Sequence, residues 1–146
     1  PVVDELHGLD LDADEKAIRE RLSSRGVPAS LVRGSVYELP YPDARFDLVV
    51  CFSVFEHLHE YPKGLAEVAR VLRPGGLFLL GIPAVNRLME VAFRAVGFKG
   101  IEDHHVTKPQ QVAARFGDFG FSVTARKPLG VWGLRLYYNW LLEKRP

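Results

Sequence analysis

The sequence predicts an α/β fold built on a largely parallel sheet. Short apolar runs alternate with amphipathic stretches along the chain, the order expected of repeated strand–helix units. The run Phe46-Asp47-Leu48-Val49-Val50-Cys51-Phe52 is near-continuously apolar, as in strands covered on both faces. The composition, 47% apolar and 25% charged over 146 residues, is that of one ordinary globular domain, expected to span residues 1–146.

The elements follow in order. His7 to Leu11 reads as a short buried strand. Asp12 opens a helix, because Asp12-x-x-Glu15 has capping-box spacing. Ile18 and Leu22 share one face of that helix, and Gly26 suits its C-terminus. Ser30 to Gly34 is a second strand. Leu39-Pro40-Tyr41-Pro42-Asp43 is a turn, since each proline fixes its own φ and restricts its neighbour. Phe46–Phe52 is the clearest strand. Leu65, Val68, Ala69 and Leu72 recur with helical spacing. Arg73-Pro74-Gly75-Gly76 ends that helix, and Leu77 to Ile82 is the next buried strand. Asn86 to Val96 and Pro109 to Phe116 read as helices, with Pro109 suited to the first helical position. Phe121 to Arg126 is a strand. Leu134 to Leu142 fits either period, and its aromatic content favours a strand. Two final strands with no helix between them predict an antiparallel hairpin.

Several function classes are excluded. The charge is +1, from 19 Lys+Arg against 18 Asp+Glu, so nothing draws the chain to nucleic acid or anionic lipid. Cys51 is the only cysteine, which removes internal disulfides and multi-cysteine zinc sites and makes a reduced cytoplasmic setting the default. The nearly uncharged stretch Leu77 to Asn86 is too short to span a bilayer.

Candidate residues sit where strands end. Asp10 closes the first strand, where open α/β sheets bind ligands. It can accept hydrogen bonds from ribose hydroxyls, or it can cap the following helix. Gly34-Ser35-Val36 ends the second strand; a small polar side chain and a backbone N–H can hold an adenine edge, or simply leave the strand. Cys51-Phe52-Ser53 ends the third. Phe52 offers a ring face to a cation, and Cys51 reads better as a small buried hydrophobe than as a nucleophile. Glu102-Asp103-His104-His105 holds metal-capable side chains, but neighbours on an extended segment point oppositely, so no metal is expected. A histidine acting as general base fits better. Trp132, Tyr137, Tyr138 and Trp140 can face an apolar acceptor, although core is the more usual place for them.

In sequence order these pieces resemble a class I S-adenosylmethionine-dependent methyltransferase of the small-molecule group. Gly34-Ser35-Val36-Tyr37-Glu38-Leu39-Pro40-Tyr41-Pro42-Asp43 runs into Phe46-Asp47-Leu48-Val49-Val50. Phe55-Glu56-His57-Leu58 and Arg70-Val71-Leu72-Arg73-Pro74-Gly75-Gly76 follow. This is similar to the family succession GDAxxLPFPDxSFDxV, EHL, RVLKPGG, and the likeness covers about nine-tenths of the chain, weakening after Phe121.

The resemblance implies a Rossmann-like, three-layer α/β/α fold with strand order 3-2-1-4-5-7-6. It implies that Asp10 holds the ribose, Leu11 packs on the adenine, and Ser35 and Val36 meet the adenine edge. Ser35 stands where the family usually has Asp. Cys51, Phe52 and Ser53 match residues lining the methionine part. His57 matches the EHL histidine. His105-Val106-x-Lys108-Pro109 is similar to an acceptor-side segment, which makes His105, then His57, the candidate bases. The family's first strand and glycine-rich loop are absent, and the chain opens on Pro1, so a longer natural protein is expected. The implied activity is SN2 methyl transfer to a small-molecule acceptor, with S-adenosylmethionine as cofactor and a homodimer allowed. The rival is a catalytically inactive relative serving as an interaction or dimerisation module. A nicotinamide dehydrogenase would leave the Leu39–Asp43 and Arg73–Gly76 patterns without a reason.

Overall fold

The structure is a computed structural model that describes residues 3–12, 28–84, 105–131 and 134–146. These residues fall into two compact units, Pro1–Pro40 and Tyr41–Pro146. The helices expected over Asp12–Gly26 and Asn86–Val96, together with Glu102, Asp103, His104 and Trp132, lie outside the described residues, apart from Asp12 itself.

In the first unit, β1 (Leu6–Asp10) pairs in parallel with β2 (Ala29–Arg33), Leu6 opposite Ala29 and Asp10 opposite Arg33. Their apolar residues are mostly half-buried. The Leu6 N–H donates to the Pro28 carbonyl and the Gly34 N–H to the Asp10 carbonyl, each at 3.0 Å, so both ends of the pair are tied by backbone.

The second unit carries β3 (Phe46–Phe52), a 3₁₀ turn (Phe55–His57), helix α1 (Tyr61–Val71) and β4 (Leu72–Pro83). Helix α2 (Pro109–Ala114), a second 3₁₀ turn (Phe116–Phe119), β5 (Phe121–Arg126), β6 (Leu129–Val131) and β7 (Leu134–Lys144) complete it. The sheet order is β3-β4-β7-β5, with β6 also on β7. β3 and β4 are parallel, while β7 runs antiparallel to β4, β5 and β6.

α1 begins with a proline in its first turn and buries Gly64, Leu65, Val68 and Val71; of the expected apolar face, Leu65 and Val68 are on it, Ala69 is half-buried and Leu72 lies just past the helix. It stops at Leu72, where the backbone turns extended (ψ 138°). The β3–β4 ladder holds Phe46 opposite Leu72 and resumes at Leu48 opposite Leu77. Arg73–Gly76 therefore bulges out, and Gly75 takes the left-handed φ of 74° that an L side chain resists. The core gathers Phe55, Leu65, Val68, Leu72, Phe78, Leu80, Ile82, Val112 and Leu142, each nearly inaccessible to solvent. Phe78 touches Phe55 and Phe121, with ring centroids 6.1 and 5.6 Å apart. Trp140 is buried edge-on against Phe116 and stacked on Tyr138, both at 5.6 Å, a core role.

Three expectations need correction. The sheet is not mostly parallel among the described residues, because β7 is a hub that takes three antiparallel partners. β3 is not covered on both faces there: Leu48, Val50 and Phe52, which share one face by alternation, are exposed. The helix expected from Pro109 to Phe116 ends at Ala114 and gives way to a 3₁₀ turn. The left-handed Gly120, whose φ is 77°, closes that turn ahead of β5. The C-terminal antiparallel pairing holds, with β5 on β7 and the short β6 between them in sequence.

Candidate active site

The first unit places its candidates just past two parallel strand ends. Asp10 ends β1, and the Gly34-to-Asp10 hydrogen bond brings Ser35 and Val36 to the same end. Asp10 Oδ1 accepts the Asp12 N–H at 2.8 Å. A carboxylate offers about four lone-pair sites, so this exposed side chain keeps acceptor capacity. Leu11 is 63% exposed, an apolar surface without cover in its own unit. Ser35 Oγ accepts the Tyr37 N–H at 3.2 Å, and Glu38 N–H closes a tight turn onto the Ser35 carbonyl at 3.1 Å. Ser35 and Val36 are half-buried.

In the second unit, Cys51, Phe52 and Ser53 lie at the carboxyl end of β3, and the Ser53 N–H reaches the Gly81 carbonyl of β4 at 3.0 Å. Ser53 adopts φ 54°, the left-handed region that non-glycine residues seldom occupy. Its hydroxyl and the Tyr137 hydroxyl are 2.8 Å apart and share a hydrogen bond, a cross-sheet tie that holds the turn. Gly81 is where Phe52 and Tyr137 converge: a Cβ there would run into the Phe52 ring and lie 2.6 Å from Tyr137 Cε1. Only glycine leaves room for both rings. Burial, reinforced by the negative charge of Glu56, pushes the Cys51 thiol up to about 12. A thiol so placed is protonated at neutral pH, which fits a packing role rather than a nucleophilic one.

The 3₁₀ turn after β3 carries Glu56 and His57. Glu56 is 2% exposed. Burial holds its carboxyl above the ordinary range, against the opposing pull of its backbone hydrogen bond and of His57. His57 is half-exposed, its Nε2 3.7 Å from Glu56 Oε1. The His105 ring meets the His57 ring edge-on with centroids 5.0 Å apart. Both candidate bases are thus brought together, although 48 positions separate them in the chain.

Thr107 makes this meeting happen. Its N–H donates to the Glu56 carbonyl at 3.1 Å and its Oγ1–H to the Leu58 carbonyl at 2.6 Å. Buried itself, it pins the segment before α2 onto the 3₁₀ turn. Lys108 N–H is then capped by Gln111 Oε1 at 2.8 Å, which starts α2.

Sequence reasoning missed Thr107, Glu56 and Tyr137 as parts of this region. Thr107 occupied an unassigned position in the His105–Pro109 pattern. Glu56 carries no local signal beyond its place beside His57. Tyr137 reads as one of four aromatics that face an acceptor or fill the core, and nothing local marks it as the partner of Ser53.

Comparisons with known proteins identify the family and the fold. A probable S-adenosylmethionine-dependent methyltransferase of Mycolicibacterium smegmatis is 42% identical over 78 residues, 53% of this chain and 29% of that protein. A demethylmenaquinone methyltransferase of Deinococcus radiodurans is 47% identical over 66 residues, 44% of this chain and 27% of that protein. The chain therefore aligns with less than a third of these relatives' length. In structure it is similar to the PH0226 protein of Pyrococcus horikoshii, with TM-score 0.74 and 21% identity over 97% of this chain and 72% of that one. It is also similar to the [4+2]-cyclase SpnF, with TM-score 0.76 and 14% identity over 97% of this chain and 66% of that one. These two likenesses show a Rossmann-like fold alone, and a cyclase among them is a reminder that the fold does not dictate the reaction. The profile described as a methyltransferase domain matches residues 2–80, more than half of the chain. On that match the chain belongs to the methyltransferase domain family, and the Mycolicibacterium smegmatis relative is named as a probable S-adenosylmethionine-dependent member.

Proposed function

We propose that the protein transfers a methyl group from S-adenosylmethionine to a small-molecule acceptor. The observation that carries the proposal is the placement of the candidate cofactor residues, within each unit, at the carboxyl ends of parallel strands, inside the span matched by the family. The residues suit the cofactor's chemistry. Asp10 has acceptor capacity for ribose hydroxyls, and Leu11 offers an uncovered apolar surface to adenine. Ser35 and Val36 serve the adenine edge. Cys51, Phe52 and Ser53 serve the methionine part, where the exposed Phe52 ring can face a sulfonium cation.

When bound, S-adenosylmethionine supplies an electrophilic methyl group for SN2 displacement. The chain's task is to orient the acceptor, exclude water and take up the acceptor's proton. His105 is the proposed base and His57 the second candidate. Both units are read as parts of one methyltransferase domain. A reduced cytoplasmic setting fits the buried, protonated Cys51.

One observation favours the inactive-module reading: Ser35, which stands in place of the family's usual Asp, carries no charge, and with one lone pair taken by the Tyr37 N–H it keeps a single further lone pair for an adenine amino group. Calorimetric titration of the full-length protein with S-adenosylmethionine and S-adenosylhomocysteine decides between them. Binding that Asp10→Ala weakens at least tenfold is expected. A folded full-length protein that binds neither compound overturns the enzyme reading and leaves the module.

A further inference from the structure

We propose that Glu56, His57 and His105 form a binding site for a divalent transition-metal ion of the zinc type. One carboxylate oxygen and one ring nitrogen from each histidine lie within 4.8 Å of one another. Two imidazoles and one carboxylate are a donor set for borderline divalent ions such as Zn²⁺, which in catalytic sites keep an open fourth position.

Three features of the second unit turn proximity into a site. First, Glu56 is 2% exposed and its Oε2 has no hydrogen-bond partner among the described residues. A carboxylate removed from water needs a counter-charge or a donor, and a bound cation supplies the first. Second, the ligands come from two segments locked together by Thr107, whose two hydrogen bonds to the Glu56 and Leu58 carbonyls fix their separation. Third, burial is graded: Glu56 is buried, His105 half-buried and His57 exposed, so the site has a closed floor and an open entrance.

One donor pair is already near the spacing a tetrahedral ion needs, and the full set lies within 4.8 Å. Bonds of about 2.0–2.1 Å in a tetrahedral site place donors roughly 3.3 Å apart. Glu56 Oε1 and His57 Nε2 are already at 3.7 Å, and the half-exposed His57 ring has room to turn toward the shared ion.

The proposal does not rest on the methyltransferase reading, because the ion can bind without any cofactor. It does bear on the base assignment. A ring nitrogen that ligates a metal has its lone pair engaged and takes no proton at that atom, so an ion-loaded protein and a histidine base exclude each other at that nitrogen.

The test is metal content and affinity of the full-length protein. The protein is stripped with chelator, dialysed, and titrated with Zn²⁺ and separately with Co²⁺, whose visible absorption reports its ligands. One ion per chain is expected, weakened at least tenfold in Glu56→Gln, His57→Gln and His105→Gln. Wild-type affinity is expected in His59→Gln, an equally local change outside the donor set. Thermal unfolding of each variant without metal separates loss of ligands from loss of fold. A folded protein that binds no stoichiometric ion, or ion affinity untouched by the three substitutions, overturns the site. Binding of S-adenosylmethionine measured on the same samples reports the methyltransferase reading separately.

Discussion

Arg70 is a prediction that can be worked through from distances. Its guanidinium donates to both oxygens of Glu67 at 2.8 and 2.9 Å, to the Tyr41 carbonyl at 2.8 Å and to Asp43 Oδ1 at 2.8 Å. The Ala44 N–H returns a bond to the Arg70 carbonyl at 2.9 Å. The side chain therefore clamps the Tyr41–Asp43 turn onto α1, and its bonds to Glu67 and then Asp43 hold it charged above its already high range. Arg70→Met keeps the aliphatic stem and removes four hydrogen bonds.

The contributions differ. Asp43 is 79% exposed, so its pair contributes under about 0.5 kcal/mol. The Glu67 pair is bidentate and has side chains only 31% and 18% exposed, worth about 1 kcal/mol. The Tyr41 carbonyl, left without its charged donor, adds about 1 kcal/mol. The expected loss is about 2 kcal/mol, or a Tm drop of roughly 4–8 °C for a chain of this size. Calorimetry of the full-length protein measures it. Double-mutant cycles apportion it, with coupling to Glu67→Gln larger than coupling to Asp43→Ala. A loss below about 0.5 kcal/mol, or the reverse order of couplings, would refute the clamp.

Other outcomes follow from the same contacts. Tyr137→Phe removes the hydroxyl that holds Ser53 at φ 54°; S-adenosylmethionine affinity should fall several-fold while Tm moves little, and unchanged affinity would detach Tyr137 from the site. Gly81→Ala forces Phe52 and Tyr137 apart and should cost about 1–3 kcal/mol in urea unfolding; a neutral change would mean that the two rings shift at no cost. Cys51, with its thiol pushed up from 9.0 to about 12 by burial, should react with iodoacetamide at pH 8 at least a hundredfold more slowly in the folded than in the unfolded protein. Its linkage has a definite sign: the unfolded chain loses the Cys51 proton first, so this group's contribution to stability is complete below pH 9 and is lost as pH rises toward 12. Cys51→Ala should flatten that part of the stability profile, and an unchanged profile would assign the alkaline loss to other groups.

Much of the fold was legible because local signals agree with the final packing. Leu65 and Val68, from the apolar period, sit on the buried face of α1. Gly75 supplies the positive φ within Arg73–Gly76, the stretch that reads as the helix stop, although the structure turns it into a bulge of β4. Leu134–Leu142 fitted two periods, and the strand won because β4 and β5 offer it partners on both edges. That third-party pairing is also why the sheet's direction was misjudged: a strand's sequence carries its period but not the orientation of its neighbours.

The site divides in the same way. By itself the sequence determined which residues end the strands, since Asp10, Ser35 and Ser53 follow apolar runs, and it carried the motif order that marks the family. Only the tertiary structure decided that His105 meets His57, that Thr107 joins their segments, and that Glu56 is sealed beneath them. The same holds for the Tyr137–Ser53 bond, made between residues 84 apart in the chain. Strand ends are legible because turn chemistry is local. Side-chain contacts between distant segments depend on how the sheet brings those segments together, and no window of sequence contains both partners.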